Sequence, residues 1–102
     1  MQTVSRSRID VLADAPLVPR IVSALVEAGI NGHTVLPALS GSGRSGPWTE
    51  DRLTGTETKQ WVVAIASSDH AEAFVESLSG LLDSHRLLLT LSVVQVVRGD
   101  RF

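Results

Sequence analysis

A chain of 102 residues, 43% of them hydrophobic, carries material for one compact core and has no room for a second. Its formal net charge of -2 argues against a nucleic-acid footprint, and its lack of cysteine excludes a disulfide framework, a thiolate metal site and a cysteine nucleophile. No stretch is long and apolar enough for a signal-peptide core or a membrane span, so the expectation is a soluble, cytoplasmic protein without membrane insertion.

Arg8-Ile9-Asp10-Val11-Leu12-Ala13 is short, apolar and partly alternating, and reads as a strand. Asp14 stands where a helix N-cap would be, with Pro16 and Pro19 tolerable only in the early turns. Val18, Ile21, Val22, Leu25 and Ala28 follow at helical spacing and Gly29 stops the run, which predicts a helix over 16–28. Asn31-Gly32 reads as a turn into a second strand, His33-Thr34-Val35-Leu36, where Pro37 points to a sheet edge or a bulge. Residues 40–60, SGSGRSGPWTEDRLTGTETKQ, make a loop far longer than a compact domain ordinarily needs, and such loops are either functional or disordered.

Trp61-Val62-Val63-Ala64-Ile65-Ala66 is a third strand, apolar on both faces. Asp69 and Glu72 have the spacing of a capping box, and Ala71, Phe74, Val75, Leu78, Leu81 and Leu82 mark a second amphipathic helix. A turn around Asp83 to Arg86 leads to a last strand within Leu88 to Val97.

The order β-α-β-β-α-β is the split unit of ferredoxin-like folds. It predicts a single α+β domain over 1–102, with a four-stranded antiparallel sheet and two helices on one face. The long loop of about 40–60 then joins strands 2 and 3. WVVAIA and LSVVQVV carry apolar residues at consecutive positions, so the sheet face left open by the helices also asks for cover. Self-association is the simplest way to supply it, and the chain reads as an oligomer.

Gly41-Ser42-Gly43-Arg44-Ser45-Gly46 allows two readings: backbone N–H groups converging on an anion with Arg44 adding a charged fork, or a flexible hinge. It lacks the GK[ST] ending of a phosphate-binding P-loop and the strand–turn–helix succession of a dinucleotide motif. His33, His70 and His85 each stand alone in their segments, so no metal site is expected. Glu50, Asp51 and Glu57, with Arg52 and Lys59, read as a solvated, charge-balanced loop rather than an acid–base pair. No GxSxG elbow occurs, and no catalytic residue or enzyme activity is expected. Trp48 is either an anchor of the loop on its own domain or a contact for a partner. Arg98 and Arg101 are a candidate anion-binding pair or ordinary solubilising ends.

RIDVLADAPLVPRIVSALVEAGINGHTV, from Arg8 to Val35, resembles the opening of PII signal-transduction proteins. Gly29 to Val35 matches that family's G-[IV]-x-G-x-T-V. Gly41 to Arg44 matches the G-x-G-R start of its long T-loop, with one extra residue near Pro37 here. AEAFVESL resembles the second helix and VVQVVR the last strand.

The resemblance implies a ferredoxin-like homotrimer with adenine nucleotides in the clefts between subunits and a T-loop that docks on a target protein. Carried over by position, Leu12, Thr34 and Ile65 would hold the adenine, and Gly41, Ser42, Gly43 and Arg44 the phosphates. Arg98 matches an arginine that reaches a neighbour's phosphates. Arg101 lies one place from the next such arginine, whose own position holds Asp100. Lys59 falls on the T-loop lysine that contacts the acidic effector 2-oxoglutarate.

Three departures shape the expectation. The chain has no tyrosine, so the modified T-loop tyrosine of nitrogen-regulating members is missing. Leu82-Asp83-Ser84-His85-Arg86-Leu87 replaces the family's Gly- and Lys-rich TGxxGDGK run, which favours ADP or AMP over ATP. Ser45 stands where a glutamine would help bind magnesium-bridged 2-oxoglutarate.

The chain thus resembles the divergent PII-like branch associated with carboxysomes and bicarbonate transport. That implies a non-enzymatic regulator in inorganic-carbon metabolism, taking adenine nucleotide as effector rather than cofactor. Arg44 and Lys59 would hold a small anion such as bicarbonate, and Trp48 would meet the partner. The alternatives are a nitrogen regulator sensing ATP/ADP and 2-oxoglutarate, a small phosphatase-like enzyme, or a structural trimer of similar fold. Ala13-Asp14-Ala15-Pro16 lacks the arginine-bearing phosphate loop that the enzyme would need after its first strand.

Overall fold

Ile9, Val11 and Ala13 are buried while the residues between them are not, so alternation along the first strand separates an inner from an outer sheet face. The computed structural model describes residues 2–44, 46–49 and 58–97. Chain order is β1 (Thr3–Asp14), a 3-10 turn (Ala15–Leu17), α1 (Val18–Glu27), β2 (Thr34–Ala38), β3 (Ser40–Gly43), β4 (Gly46–Thr49), β5 (Lys59–Ala66), α2 (Ser68–Ser84) and β6 (Leu88–Val97). The main sheet has the order β2-β5-β1-β6, antiparallel throughout, and β3 pairs with β4 in a separate hairpin. This is the ferredoxin-like arrangement that the order of elements predicts, with β2 at an edge where Pro37 costs no ladder bond to a further strand.

The core lies between the sheet's inner face and the two helices. Ile9 and Val11 from β1 and Val62, Ala64 and Ala66 from β5 meet Ile21 and Leu25 of α1 and Phe74 and Leu78 of α2. Phe74 is fully buried, and truncating such a side chain to alanine costs about 3–5 kcal/mol. The outer face carries Leu12, Trp61, Val63 and Ile65, all half-buried in the single chain, together with Leu36 and Leu88, which are 47% and 51% exposed. No helix among the described residues is long and apolar enough to cross a membrane.

Several local expectations change. The first strand begins at Thr3 rather than Arg8, because Thr3 to Ser7 lie in register with Val97 to Val93 of β6, a ladder that apolar alternation does not reveal. Asp14 holds the N-cap position of the 3-10 turn, while that of α1 falls to Leu17. Asp14 remains extended, makes no side-chain cap bond and ends β1, while the 3-10 turn precedes a helix that starts at Val18 with a proline in its first turn.

The chain reverses at Gly29, whose φ of +86° suits glycine, with the Ile30 N–H donating to the Leu25 carbonyl at 2.9 Å. Gly32 does not take a positive φ, and the second strand runs two residues further than expected, to Ala38.

The capping box of Asp69 and Glu72 gives way to Ser67, two positions earlier. Its backbone is extended and its Oγ accepts from the His70 N–H at 3.2 Å, so the helix starts at Ser68. The same helix runs through Asp83 and Ser84, where a turn was expected. Ser84 Oγ donates to the Gly80 carbonyl at 2.9 Å in its last turn. Finally, the first half of the segment 40–60 is the β3–β4 hairpin, with Gly46 at a φ of +98°.

Candidate ligand-binding site

A cavity of about 590 Å³ opens at one end of β5, between residues 63–67 and the segment 29–34 that leads into β2. Its wall depends on Gly29 twice over. The positive φ allows the chain to turn, and the missing side chain lets the His70 ring approach: an added Cβ would stand 3.3 Å from His70 Nε2. His70 is placed by the Ser67 cap, since the same first turn of α2 carries both residues.

Val63 and Ile65 give the cavity apolar surface, and Asn31, His33, Ser67 and His70 give it donors and acceptors. No aspartate, glutamate, lysine or arginine is among its lining residues. Such a lining suits a flat, uncharged ring with a hydrogen-bonding edge rather than a phosphate.

A second cluster lies at the far end of β2. Lys59 pairs in register with both Asp14 and Ala38, and its Nζ donates to Asp14 Oδ1 at 2.7 Å. The same ammonium lies 5.5 Å from the centroid of the Trp48 ring, within cation–π range. Across the hairpin Trp48 pairs with Gly41, and the indole packs so closely that a Cβ on Gly41 would fall 2.5 Å from Trp48 Cζ2.

The sequence-predicted residues are therefore distributed, not gathered. Thr34 and Ile65 line the cavity. Leu12 lies in register with Trp61 and Leu88, on the outer face and toward the hairpin end. Gly41, Ser42 and Gly43 form β3, with Arg44 exposed at its end. In one chain the two groups flank opposite ends of β2, a strand about 13 Å long at the usual rise. Ser45, Glu50, Asp51, Arg52, Glu57, Arg98 and Arg101 lie outside the described residues.

Two histidines that stand alone in the sequence, His33 and His70, come together at the cavity. The signal was present in part: Ser67 three residues before His70 is an N-cap spacing that aims the first turn of α2 at the end of β5. His85 instead shares a hydrogen bond of 2.8 Å with Ser84. Among the described residues no group of three or more His, Cys, Asp or Glu could hold a metal ion.

Comparison with known proteins bears on this geometry. The family model of the nitrogen regulatory protein P-II matches residues 6–101. No curated protein sequence matches the chain. Among solved structures, the chain superposes with a TM-score of 0.89 on CPII, a nitrogen regulatory PII-like protein from Thiomonas intermedia K12 bound to ADP, AMP and bicarbonate. The identity is 17%, over 99% of this chain and 96% of that one.

A PII-like signalling protein of Thermus thermophilus gives a TM-score of 0.84 at 21% identity, over 100% of this chain and 99% of that one. CutA from Synechococcus elongatus PCC7942, complexed with Bis-Tris, gives 0.70 at 10% identity, over 98% and 91%. At such identities the likeness is one of fold.

Proposed function

Because the chain belongs to the nitrogen regulatory protein P-II family, we propose that it is a non-enzymatic PII-like regulator that binds ADP or AMP between the subunits of a homotrimer. The observation that carries this reading is the separation of its two half-sites. The cavity with Thr34 and Ile65 has no lysine or arginine in its lining to meet a phosphate, and the glycine strand with Arg44 lies beyond the other end of β2. A neighbouring copy brings one half-site up to the other, so that Leu12 and Gly41 to Arg44 of one subunit face Thr34 and Ile65 of the next.

In this reading the adenine lies against Thr34, Ile65 and Leu12. The N–H groups of Gly41, Ser42 and Gly43 and the Arg44 guanidinium meet its phosphates, joined by Arg98 and Arg101 after β6. ADP or AMP is favoured over ATP because the segment between α2 and β6 brings no glycine or lysine to a third phosphate. CPII is described with ADP, AMP and bicarbonate, and the same ligand set is proposed here, with bicarbonate at Arg44 and Lys59. The signal leaves through residues 40–60, Trp48 included, to a partner protein in cytoplasmic inorganic-carbon metabolism.

Calorimetry with ADP, AMP and ATP tests the site. Arg44→Ala weakens ADP binding by about 1.5–3 kcal/mol through loss of a charge-assisted contact, and unchanged affinity sinks the phosphate role. Subunit sharing has its own test. Thr34→Glu and Arg44→Ala proteins each bind ADP poorly, yet trimers mixed from the two regain sites where both intact halves meet. Mixed trimers that bind no better than either parent overturn the shared cleft.

A further inference from the structure

Lys59 is already claimed within its own chain. Three elements converge on its ammonium: the end of β1 through Asp14 at 2.7 Å, the β3–β4 hairpin through the Trp48 ring at 5.5 Å, and β5, from which it projects. The Ala15 N–H donates to the Thr58 carbonyl at 3.0 Å and holds the same junction from the backbone side. Trp48 in turn covers Gly41, so whatever holds the indole also fixes the glycine strand.

The ion pair is part-buried, yet water reaches it: 24% of the Lys59 side chain and 45% of that of Asp14 are exposed. Exposed pairs are weak, and an ammonium with three donors can exchange one carboxylate oxygen for another anion at small cost.

We infer that Asp14, Lys59 and Trp48 form a latch that a small oxyanion opens, with Asp14 as the built-in competitor for Lys59. The inference rests on the anion role of Lys59 proposed above and adds its regulation. With the latch closed, Lys59 is held by Asp14 and Trp48 stays on Gly41. An incoming bicarbonate or phosphate oxygen takes the ammonium, Lys59 leaves the indole face, and the hairpin is released. Asp14 thereby sets the anion concentration at which the hairpin responds.

Tryptophan emission reads the latch directly, because the chain has no tyrosine and its only other tryptophan is Trp61. In Trp61→Phe protein, sodium bicarbonate and inorganic phosphate are titrated separately at constant ionic strength, with and without ADP. A saturable change in Trp48 emission is expected. Adding Asp14→Asn shifts the emission toward the released state before any anion is present and tightens anion binding about two- to fivefold. Adding Lys59→Gln gives the released emission and removes the anion response. A response to phosphate but not to bicarbonate assigns the opening oxyanion to phosphate chemistry.

Asp14→Asn with unchanged emission and unchanged anion affinity overturns the latch, as does Trp48 emission that neither anion moves. ADP binding without any anion response refutes the latch and leaves the nucleotide site standing. An anion response without ADP binding does the reverse.

Discussion

Gly29 and Gly41 show two different reasons for one residue type. At Gly29 the backbone demands it, since φ is +86° and a Cβ would also press on His70 at 3.3 Å. Gly29→Ala is expected to cost about 1–2 kcal/mol in urea unfolding and to weaken ADP binding by moving His70 in the cavity wall. Gly41 has an ordinary extended backbone, but the space above it belongs to Trp48. Gly41→Ala therefore leaves the unfolding midpoint within experimental error and makes Trp48 more accessible to acrylamide quenching. An unchanged quenching constant would show that the indole does not depend on that space.

The stop at Gly29 was legible because it closes a helical run of apolar residues. The contact at Gly41 was not, because it depends on pairing across a hairpin that GSGRSGPW does not announce. Glycine there is equally compatible with a cradle, a hinge or a seat for a ring, and only the register Gly41 to Trp48 distinguishes the last.

At the scale of elements, α2 offers a clean contrast between expectation and structure. Asp69 and Glu72 have the sequence spacing of a cap, yet Ser67 holds the extended backbone and makes the bond to the His70 N–H. Ser67→Ala is predicted to cost about 1 kcal/mol in equilibrium urea unfolding. Asp69→Ala, which loses only a favourable charge in the first turn, costs about 0.3 kcal/mol. Equal losses would return the cap to Asp69.

The strands of the main sheet were readable in kind, because Ile9, Val11 and Ala13 alternate with outward residues and Trp61 to Ala66 are apolar throughout. Their lengths were not. The extension of β1 back to Thr3 depends on hydrogen bonds to β6 and on a polar clamp, in which Gln95 Nε2 donates to Ser5 Oγ at 2.8 Å and Thr3 Oγ1 donates to Gln95 Oε1 at 3.2 Å. Such partners lie ninety residues away and leave no local pattern.

For the whole molecule the informative surface is the outer sheet face. Leu36 lies there in register with Trp61 and is 47% exposed, so a charge at this position is tolerated by a single folded chain. If that face closes a homotrimer, as proposed, Leu36→Glu converts a species of three chain masses into a smaller one in sedimentation velocity, with the far-UV spectrum retained. A trimer that survives the substitution removes Leu36 from the interface. The need for cover was legible from consecutive apolar residues in two strands. The proposed sharing of the ligand site between copies came instead from the family resemblance, because sequence order describes only one copy and no spacing within it reports on a neighbour.

The place of β1 in the sheet also bears on how the molecule comes to exist. It is the earliest sheet strand in the chain, yet it lies in the interior of the sheet, flanked by β5 and by the last strand, β6. The pairs Thr3 with Val97 and Leu12 with Leu88 bracket nearly all of the chain between them. Such distant closure slows folding, and one side of β1 stays without a partner until the last strand has been made. Synthesis that pauses before Leu88 would strand the chain with β1 as an unpaired edge along the seam that β6 is to fill.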